Sequence, residues 1–599
     1  MKSRGAWVAL LMVCGLSARA FVVELNDSGD PLRWHLNPLE PPVPPNPPDQ
    51  GVHTNVVNPL TKAIRYFLAS DAYSTANAPT ELNAVRASFA QWQSVPGTLL
   101  KFEEGGLVAP GVDINTSDNQ NVVFWAKNST LVNGGLDDIS GTLAVTFNSF
   151  FPDDNAQAEA DIVFNGVQYR WSADFNSADT TQYFIESTAT HEIGHFIGLK
   201  HSPVGGSTML FHGAGGVNVQ AGLSTDEVAA ARWLYGQPST LAALGRLQGQ
   251  VTLNGSGMFG AVVVVEEFAS GNLIEGTITR TNGEYDLPAL LPGKYNVRVT
   301  PLDPVNASFH LIRGRDINSE QDTAGNYVYD SVVTDFLPAT NVAVTLTAGS
   351  TLALNVAVAS GSPAFRITQI RAPNADPNSF TWSPFPATMR PGQSNYTIGV
   401  ASADLPASGA TLAIAGDGLT LGTPEFQSVA GLNFISVSLS VASNATAGLR
   451  SFLVQSGSDV AYANGFLEIQ PTVPDFNFDG LDDRFQRQYF PLFTAPEAAP
   501  DADPDGDTFN NHSEYIAGTN PTNALSLLKI DSVVLNTNGS TLAWESAAGK
   551  RYQVFSRLDL DNAPWQAVGA PVTAAGASTA FTDASATNGF RFYRVQALP

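Results

Sequence analysis

Apolar residues recur along this chain with two different periods, and the change falls near residue 238. Within residues 79–93, Leu82, Val85, Phe89 and Trp92 stand at helical spacing, which predicts an amphipathic helix with Thr80 able to cap it and Asn83 three residues on. Helical patterning returns over about 181–197 and over 224–235. The second of these has Ser224 and Glu227 as a capping box and Gly236 past its end. Apolar runs at 121–126, 141–147 and 160–164 read as strands, so the N-terminal third is expected to be an α+β domain.

Beyond residue 238 the period falls to two. Runs such as 261–265 and 294–299 are separated by the turn signals Asn282-Gly283 and Pro292-Gly293, which predicts an antiparallel β-sandwich over 245–360. Residues 363–471 repeat that texture, with strands expected at 434–441 and 452–454. An acidic segment follows at 475–526, and a β-rich module over 527–599 closes with a strand at 590–595. The predicted fold class is therefore multidomain: an α+β domain over 21–238, then all-β sandwich modules. A proline-rich stretch, 37–49, can only be extended chain or loop and is taken as an insertion in the first domain.

Composition narrows the partners. The chain has 599 residues with 43% hydrophobic, and 55 acidic against 30 basic residues give a net charge of −25. No polybasic footprint exists for nucleic acid or anionic lipid, so neither is expected as a partner, whereas acid-rich loops could hold hard cations. Lys2 and Arg4 precede an apolar run, 6–15, and Ala18-Arg19-Ala20 has the small-x-small form of a signal-peptidase site. Residues 1–20 are thus expected to be a signal peptide and the protein to be secreted, extracellular or associated with the cell surface. The single cysteine, Cys14, lies inside that segment. A lipoprotein reading would acylate it, although Val13 is bulkier than that site normally accepts. No later stretch approaches the roughly 20 apolar residues of a transmembrane span, and none is expected.

The chemistry concentrates in residues 191–201, His-Glu-Ile-Gly-His-Phe-Ile-Gly-Leu-Lys-His. On a helix, His191 and His195 lie four apart on one face and can reach one metal, while Glu192 projects beside them. Gly198 can take a positive φ, end the helix and bring His201 round to the same point. Three imidazoles leave a fourth zinc position open, the catalytic rather than the structural arrangement. The alternative is a helix with three incidental histidines. By average residue usage, a chance match to all five fixed positions in this length is on the order of 10⁻⁵.

The pattern His-Glu-x-x-His-x-x-Gly-x-x-His resembles the zinc signature of the metzincin metallopeptidases (zincin-like fold). Met209 in Ser207-Thr208-Met209 fits that clan's methionine turn, and Ser202 after the third histidine points to the matrixin branch. Pro31-Leu32-Arg33-Trp34, Phe89-Ala90-Gln91-Trp92, Gly141-Thr142-Leu143-Ala144, 223–227 and Leu234-Tyr235-Gly236 match in order, so the resemblance covers roughly 21–238. It implies a zinc endopeptidase acting on protein or peptide substrates. Zn2+ would sit on His191, His195 and His201, Glu192 would be the general base and acid, and Met209 a hydrophobic floor. Leu143, Ala144 and Val145 would belong to an edge strand that pairs with substrate, the alternative being a plain sheet edge. Two departures stand out. Val145 and Val163 occupy the places where animal matrixins carry histidines for a second, structural zinc. No cysteine remains after export to latch the metal, and no stretch of propeptide size precedes Leu32, so an enzyme born active or restrained by other means is expected.

In the acidic segment, Asp503, Asp505, Asp507, Phe509, Asn511 and Glu514 fall at positions 1, 3, 5, 7, 9 and 12 of a calcium loop, with Thr508 where glycine is usual. A half-match runs from Asp475 through Asn477, Asp479, Gly480, Leu481 and Asp483 to Gln486. The pair resembles thrombospondin type 3 and dockerin repeats and implies structural Ca2+; a solvated acidic linker is the alternative. The 245–360 module resembles carboxypeptidase regulatory-like sandwiches through Gly249-Gln250-Val251, Asn282-Gly283-Glu284-Tyr285 and Leu291-Pro292-Gly293-Lys294-Tyr295, and 363–471 looks immunoglobulin-like. Such modules serve as spacers or as surfaces for an extracellular-matrix or cell-surface ligand. A rival to the peptidase is a surface adhesion or scaffold protein with an inactive metzincin domain. The intact His191, Glu192, His195 and His201 speak against it.

Overall fold

A computed structural model describes residues 22–24, 31–36, 56–151, 156–177, 179–213, 220–317, 331–339, 341–373, 380–559, 564–586 and 591–599. The expected signal segment with Cys14, and the proline-rich insertion, lie outside the described residues. Internal contacts divide the chain into two compact units, Met1–Thr472 and Val473–Pro599.

In the first unit, five strands form one sheet: β1 (Ile64–Ala69), β2 (Phe102–Val108), β3 (Val122–Ala126), β4 (Ala144–Phe150) and β5 (Gln157–Asn165). Their spatial order is β2-β1-β3-β5-β4. All neighbours are parallel except β4, which pairs antiparallel with β5 and forms an edge. Every residue of β3 and β5 is buried, as central strands covered on both faces require, whereas β4 is half-exposed along most of its length. Even the carboxylates of β5 are used internally. Glu159 accepts from the Asn119 amide, and Asp161 accepts from the Val122 and Asn115 amides, which ties the 115–122 loop to the sheet.

Among the described residues, helices α1 (Ala78–Gln93), α2 (Ile185–Phe196) and α3 (Thr225–Tyr235) accompany this sheet. The capping box of α3 is present in full. Helix α1 differs from expectation, beginning after Asn77 without a side-chain cap while the Thr80 hydroxyl donates to the Asn77 carbonyl. Helix α2 starts four residues late because Tyr183–Phe184 is extended and pairs with Trp171–Ser172. α1 is bonded to α2 through Trp92 Nε1 to the Thr190 carbonyl (2.9 Å) and Gln91 Nε2 to Glu186 Oε1 (2.6 Å).

Two sandwiches follow within the same unit. In the first, Gly245–Leu253 pairs with Glu284–Leu290 antiparallel, but with Thr351–Ala353 and Val356–Ser360 in parallel. The sheet is mixed rather than wholly antiparallel, since the chain returns to its own first strand from the same direction. The facing sheet orders Leu273–Ile278, Val262–Glu267, Gly293–Thr300 and Val342–Leu346. In the second sandwich, Leu432–Val441 and Tyr396–Ser402 anchor one sheet, and Asp459–Ile469 with Gly448–Ser456 the other.

Among its described residues, the second unit holds the short α-helices Asp483–Tyr489 and Asn511–Ala517 and two three-stranded sheets. Their apolar cluster is built round Trp544 and Tyr552. The last strand spans Phe592–Leu598 rather than 590–595.

Candidate metal centre

The polypeptide brings the three histidines together by different means. His191 and His195 leave one face of α2, and their ring centroids are 4.8 Å apart. Gly198 follows with φ +100, and a Cβ there would overlap the Leu32 carbonyl, so this turn admits only glycine without rearrangement. The turn is held from outside: Trp34 Nε1 donates to the Phe196 carbonyl (2.9 Å) and Tyr235 Oη to the Ile197 carbonyl (2.7 Å). Lys200 N donates to the Val22 carbonyl, so the N-terminal segment also braces it. His201 thereby reaches the other two, with His195 Nε2 and His201 Nε2 at 3.3 Å.

Each ring is oriented through its other nitrogen. Nδ1 of His191 lies 2.8 Å from the Thr208 carbonyl, Nδ1 of His195 2.8 Å from the Leu199 carbonyl, and Nδ1 of His201 2.9 Å from the Asp316 carbonyl. A carbonyl can only accept, so each Nδ1 carries the proton and each Nε2 keeps its lone pair. One ligand nitrogen from each histidine lies within 4.8 Å of the others. Burial pushes all three imidazoles below their ordinary pKa, His195 and His201 well below, so the rings are neutral. Three partly buried lone pairs aimed at one point repel unless a cation lies between them. The donor set therefore fits a zinc ion, with these three residues to hold it.

Glu192 is 4% exposed and accepts from Thr146 Oγ1 at 2.6 Å. Burial pushes its carboxyl up to about 7, against the pull of that hydrogen bond. Beneath the ligands, Met209 is buried against Gly194, where any Cβ would overlap its sulfur. Glu227 holds this turn with one carboxylate oxygen, accepting from Met209 N (3.0 Å) and from Ser207 Oγ, while its other oxygen caps α3 at Ser224.

The residues that sequence patterning assigned to substrate divide. Ala144 and Val145 lie on edge strand β4, while Leu143 stands one residue before it. Val145 faces Val163 across the β4–β5 pair, and both belong to one apolar cluster. In the second unit, ligand oxygens of Asp503, Asp505 and Asp507 lie within 4.8 Å of one another. Glu514 is 1% exposed, and burial with Asp505, Asp507 and Asp503 nearby raises its carboxyl to about 7. Asn511 Nδ2 donates to the Glu497 and Ala499 carbonyls while its Oδ1 is buried without a hydrogen-bond partner among the described residues, and Phe509 is 48% exposed. In the half-matching loop Gln486 Nε2 donates to Asp479 Oδ2 (2.8 Å), so an amide closes that loop where a carboxylate would bind an ion.

Four participants escaped sequence reasoning in their roles: Thr146, Trp34, Tyr235 and Asp316. The first three act through side-chain hydrogen bonds to groups remote in sequence, and Asp316 through its main chain, so residue type alone does not reveal these roles. Glu227 was legible only as a helix cap.

Residues 60–236 match the model of the matrixin family of peptidases, and this part of the chain is a matrixin domain. It is similar to the metalloendoproteinase 1-MMP of Arabidopsis thaliana, 30% identical over 192 residues, which are 32% of this chain and 45% of that relative. The match thus spans about half the length of the relative. Together these support a metalloendopeptidase kind of function. Among solved structures, the major pilin subunit of Bacillus cereus is matched over 59% of this chain and 88% of its own at 10% identity and a TM-score of 0.13. Domains from titin are matched over 57% and 87% at 11% identity and a TM-score of 0.13. Scores this low say nothing about the fold.

Proposed function

We propose that residues 21–238 are the catalytic unit of a secreted zinc endopeptidase that cleaves extracellular proteins or peptides at internal bonds. The observation that carries this reading is the convergence of three neutral Nε2 atoms beside a buried carboxylate, next to a strand that is the sheet's edge among the described residues. Zinc held by His191, His195 and His201 would supply Lewis acidity toward water and the scissile carbonyl. Glu192 takes the proton from the attacking water and passes it to the departing amine. Thr146 holds that carboxylate in place through its 2.6 Å hydrogen bond. Strand β4, which is bonded to α2 through Thr146 and Asn148, would offer the outer main-chain groups of Ala144 and Val145 to an extended substrate. Lys2, Arg4 and the 6–15 apolar run support export. The sandwiches at 245–360 and 363–471 and the module at 527–599 lie beyond the catalytic unit.

We also infer that the 475–526 segment binds structural calcium at Asp503, Asp505, Asp507 and Glu514. Asp505 Oδ2, Asp507 Oδ2 and Glu514 Oε2 are buried atoms without a hydrogen-bond partner among the described residues, which supports a cation there.

The peptidase is tested by incubating the purified protein with an unfolded protein and mapping the products by mass spectrometry. Internal cleavage that stops with a zinc chelator and returns on adding zinc is expected. Cleavage that a chelator leaves untouched would contradict the zinc reading.

A further inference from the structure

Two of the three metal-facing imidazoles bond to carbonyls of the catalytic segment itself, Thr208 and Leu199. The third does not. His201 Nδ1 bonds to the carbonyl of Asp316, 115 positions further along the chain and outside the matrixin match. That carbonyl lies in a single 3-10 turn, Gly314–Ile317, fastened at both sides. The Asp316 carboxylate accepts from Arg313 N (2.8 Å), Nε (2.9 Å) and Nη2 (2.9 Å), and Ile317 is fully buried in the apolar cluster that spans both sandwiches.

The chain on the other side of His201 is anchored in the same body. Val204 is fully buried in that cluster alongside Val264, Phe452 and Phe466. Gly205 N donates to the Asn464 carbonyl (2.9 Å), and a Cβ at Gly205 would overlap the Phe466 ring. The Asp226 carboxylate bridges the two parts, accepting from Ser202 Oγ (2.7 Å) and from Gly276 N of the first sandwich (2.8 Å). The sandwiches are clamped to each other beneath this loop. Arg298 pairs with Glu266 of its own module and donates to Ser451 and Asn464 of the next, with side-chain exposures of only 3% and 4% for the ion pair.

We propose that the Arg313–Ile317 turn is a positioning element of the metal centre, and that the two sandwiches holding it are part of the site rather than appendages. The inference rests on the zinc reading above. The Asp316 carbonyl fixes the tautomer and the plane of His201, and Arg313 fixes that carbonyl. Without it the His201 ring is free to turn about its side-chain bonds and to exchange the proton between nitrogens. Outer partners of this kind typically change metal affinity by about 10–100-fold.

The test uses the full chain and reads metal binding apart from activity. Zinc affinity is measured by competition with a chromogenic chelator, and the cobalt(II)-substituted protein is examined by its d–d absorption. Arg313→Ala is expected to weaken zinc by about 10-fold or more and to alter the cobalt spectrum. kcat at saturating zinc should be largely kept. Asp316→Asn, which keeps an acceptor for Arg313, is expected to fall between, and it decides the question if Arg313→Ala does not fold. Arg390→Ala, an exposed arginine bonded to Gln470 in the second sandwich, should bind zinc as wild type does. Wild-type affinity and an unchanged spectrum in a folded Asp316→Asn and Arg313→Ala would overturn the proposal. A wild-type protein that binds no zinc would instead overturn the metal reading beneath it.

Discussion

Each imidazole at the centre is held through its far nitrogen by a main-chain oxygen, and the neighbouring carboxylate is left for proton transfer. Glu192 is not needed to hold zinc, so Glu192→Ala should retain one zinc per chain while kcat falls by about 10²–10⁴-fold, as loss of a general base typically does. Metal analysis beside a peptidase assay checks both halves. A second acidic residue has a different fate. Glu275 of the first sandwich is fully buried, and burial with Asp226 and Asp286 nearby pushes its carboxyl far up, only partly offset by the Ala289 amide. A carboxyl raised in the folded state gives stability that is complete below its unfolded value near 4.3 and is lost as pH rises toward the folded value. Glu275→Gln should therefore melt near wild type at pH 4.5 and higher than wild type at pH 8. Equal melting temperatures at pH 8 would contradict this. The three histidines and Glu192 were legible in the sequence because their spacing on a helix is itself the chemistry. Asp316 was not, because it acts through a carbonyl that every residue type possesses.

At the scale of elements, the floor of the centre depends on one side chain serving two elements. Glu227 caps α3 through Ser224 and holds the Met209 turn through Ser207 and Met209 N. Its replacement strips partners from both, so Glu227→Ala should cost about 3 kcal/mol in denaturant unfolding. Gly194 has no room for a methyl group between Met209 and Trp92. Gly194→Ala should cost about 1–3 kcal/mol, with zinc affinity reduced as the floor shifts. A neutral effect at either position would mean that the turn is less tightly packed than its burial indicates. Helix α3 was readable to the residue because its capping box is local. The start of α2 was misjudged, since the pairing of Tyr183–Phe184 with Trp171–Ser172 is a tertiary choice that overrides local propensity.

At the scale of the whole molecule, the change of hydrophobic period near residue 238 correctly announced β-rich sheets after a helical region. It could not announce that the chain re-enters the first sandwich sheet in parallel at Thr351–Ala353 and Val356–Ser360, because parallel pairing is set by long-range chain direction. Nor did it show that a loop of the matrixin domain is buried between two sandwiches, since Pro203, Val204, Gly205 and Gly206 look like an ordinary connection. The acidic segment gives a separate expectation. If Asp503, Asp505, Asp507 and Glu514 hold calcium, ion at 100 times its Kd should stabilise the fold that binds it by about 2.7 kcal/mol. Calorimetry with a calcium-selective chelator should lower one transition, and Glu514→Gln should remove most of that shift. An unchanged trace would leave the segment as an acidic linker. The central claim is that one zinc on three imidazoles, with Glu192, hydrolyses peptide bonds. It is tested most directly by comparing zinc-loaded wild type and Glu192→Ala on an unfolded protein substrate. The account predicts internal cleavage by the wild type and next to none by a variant that still holds zinc; equal cleavage by the two would contradict it.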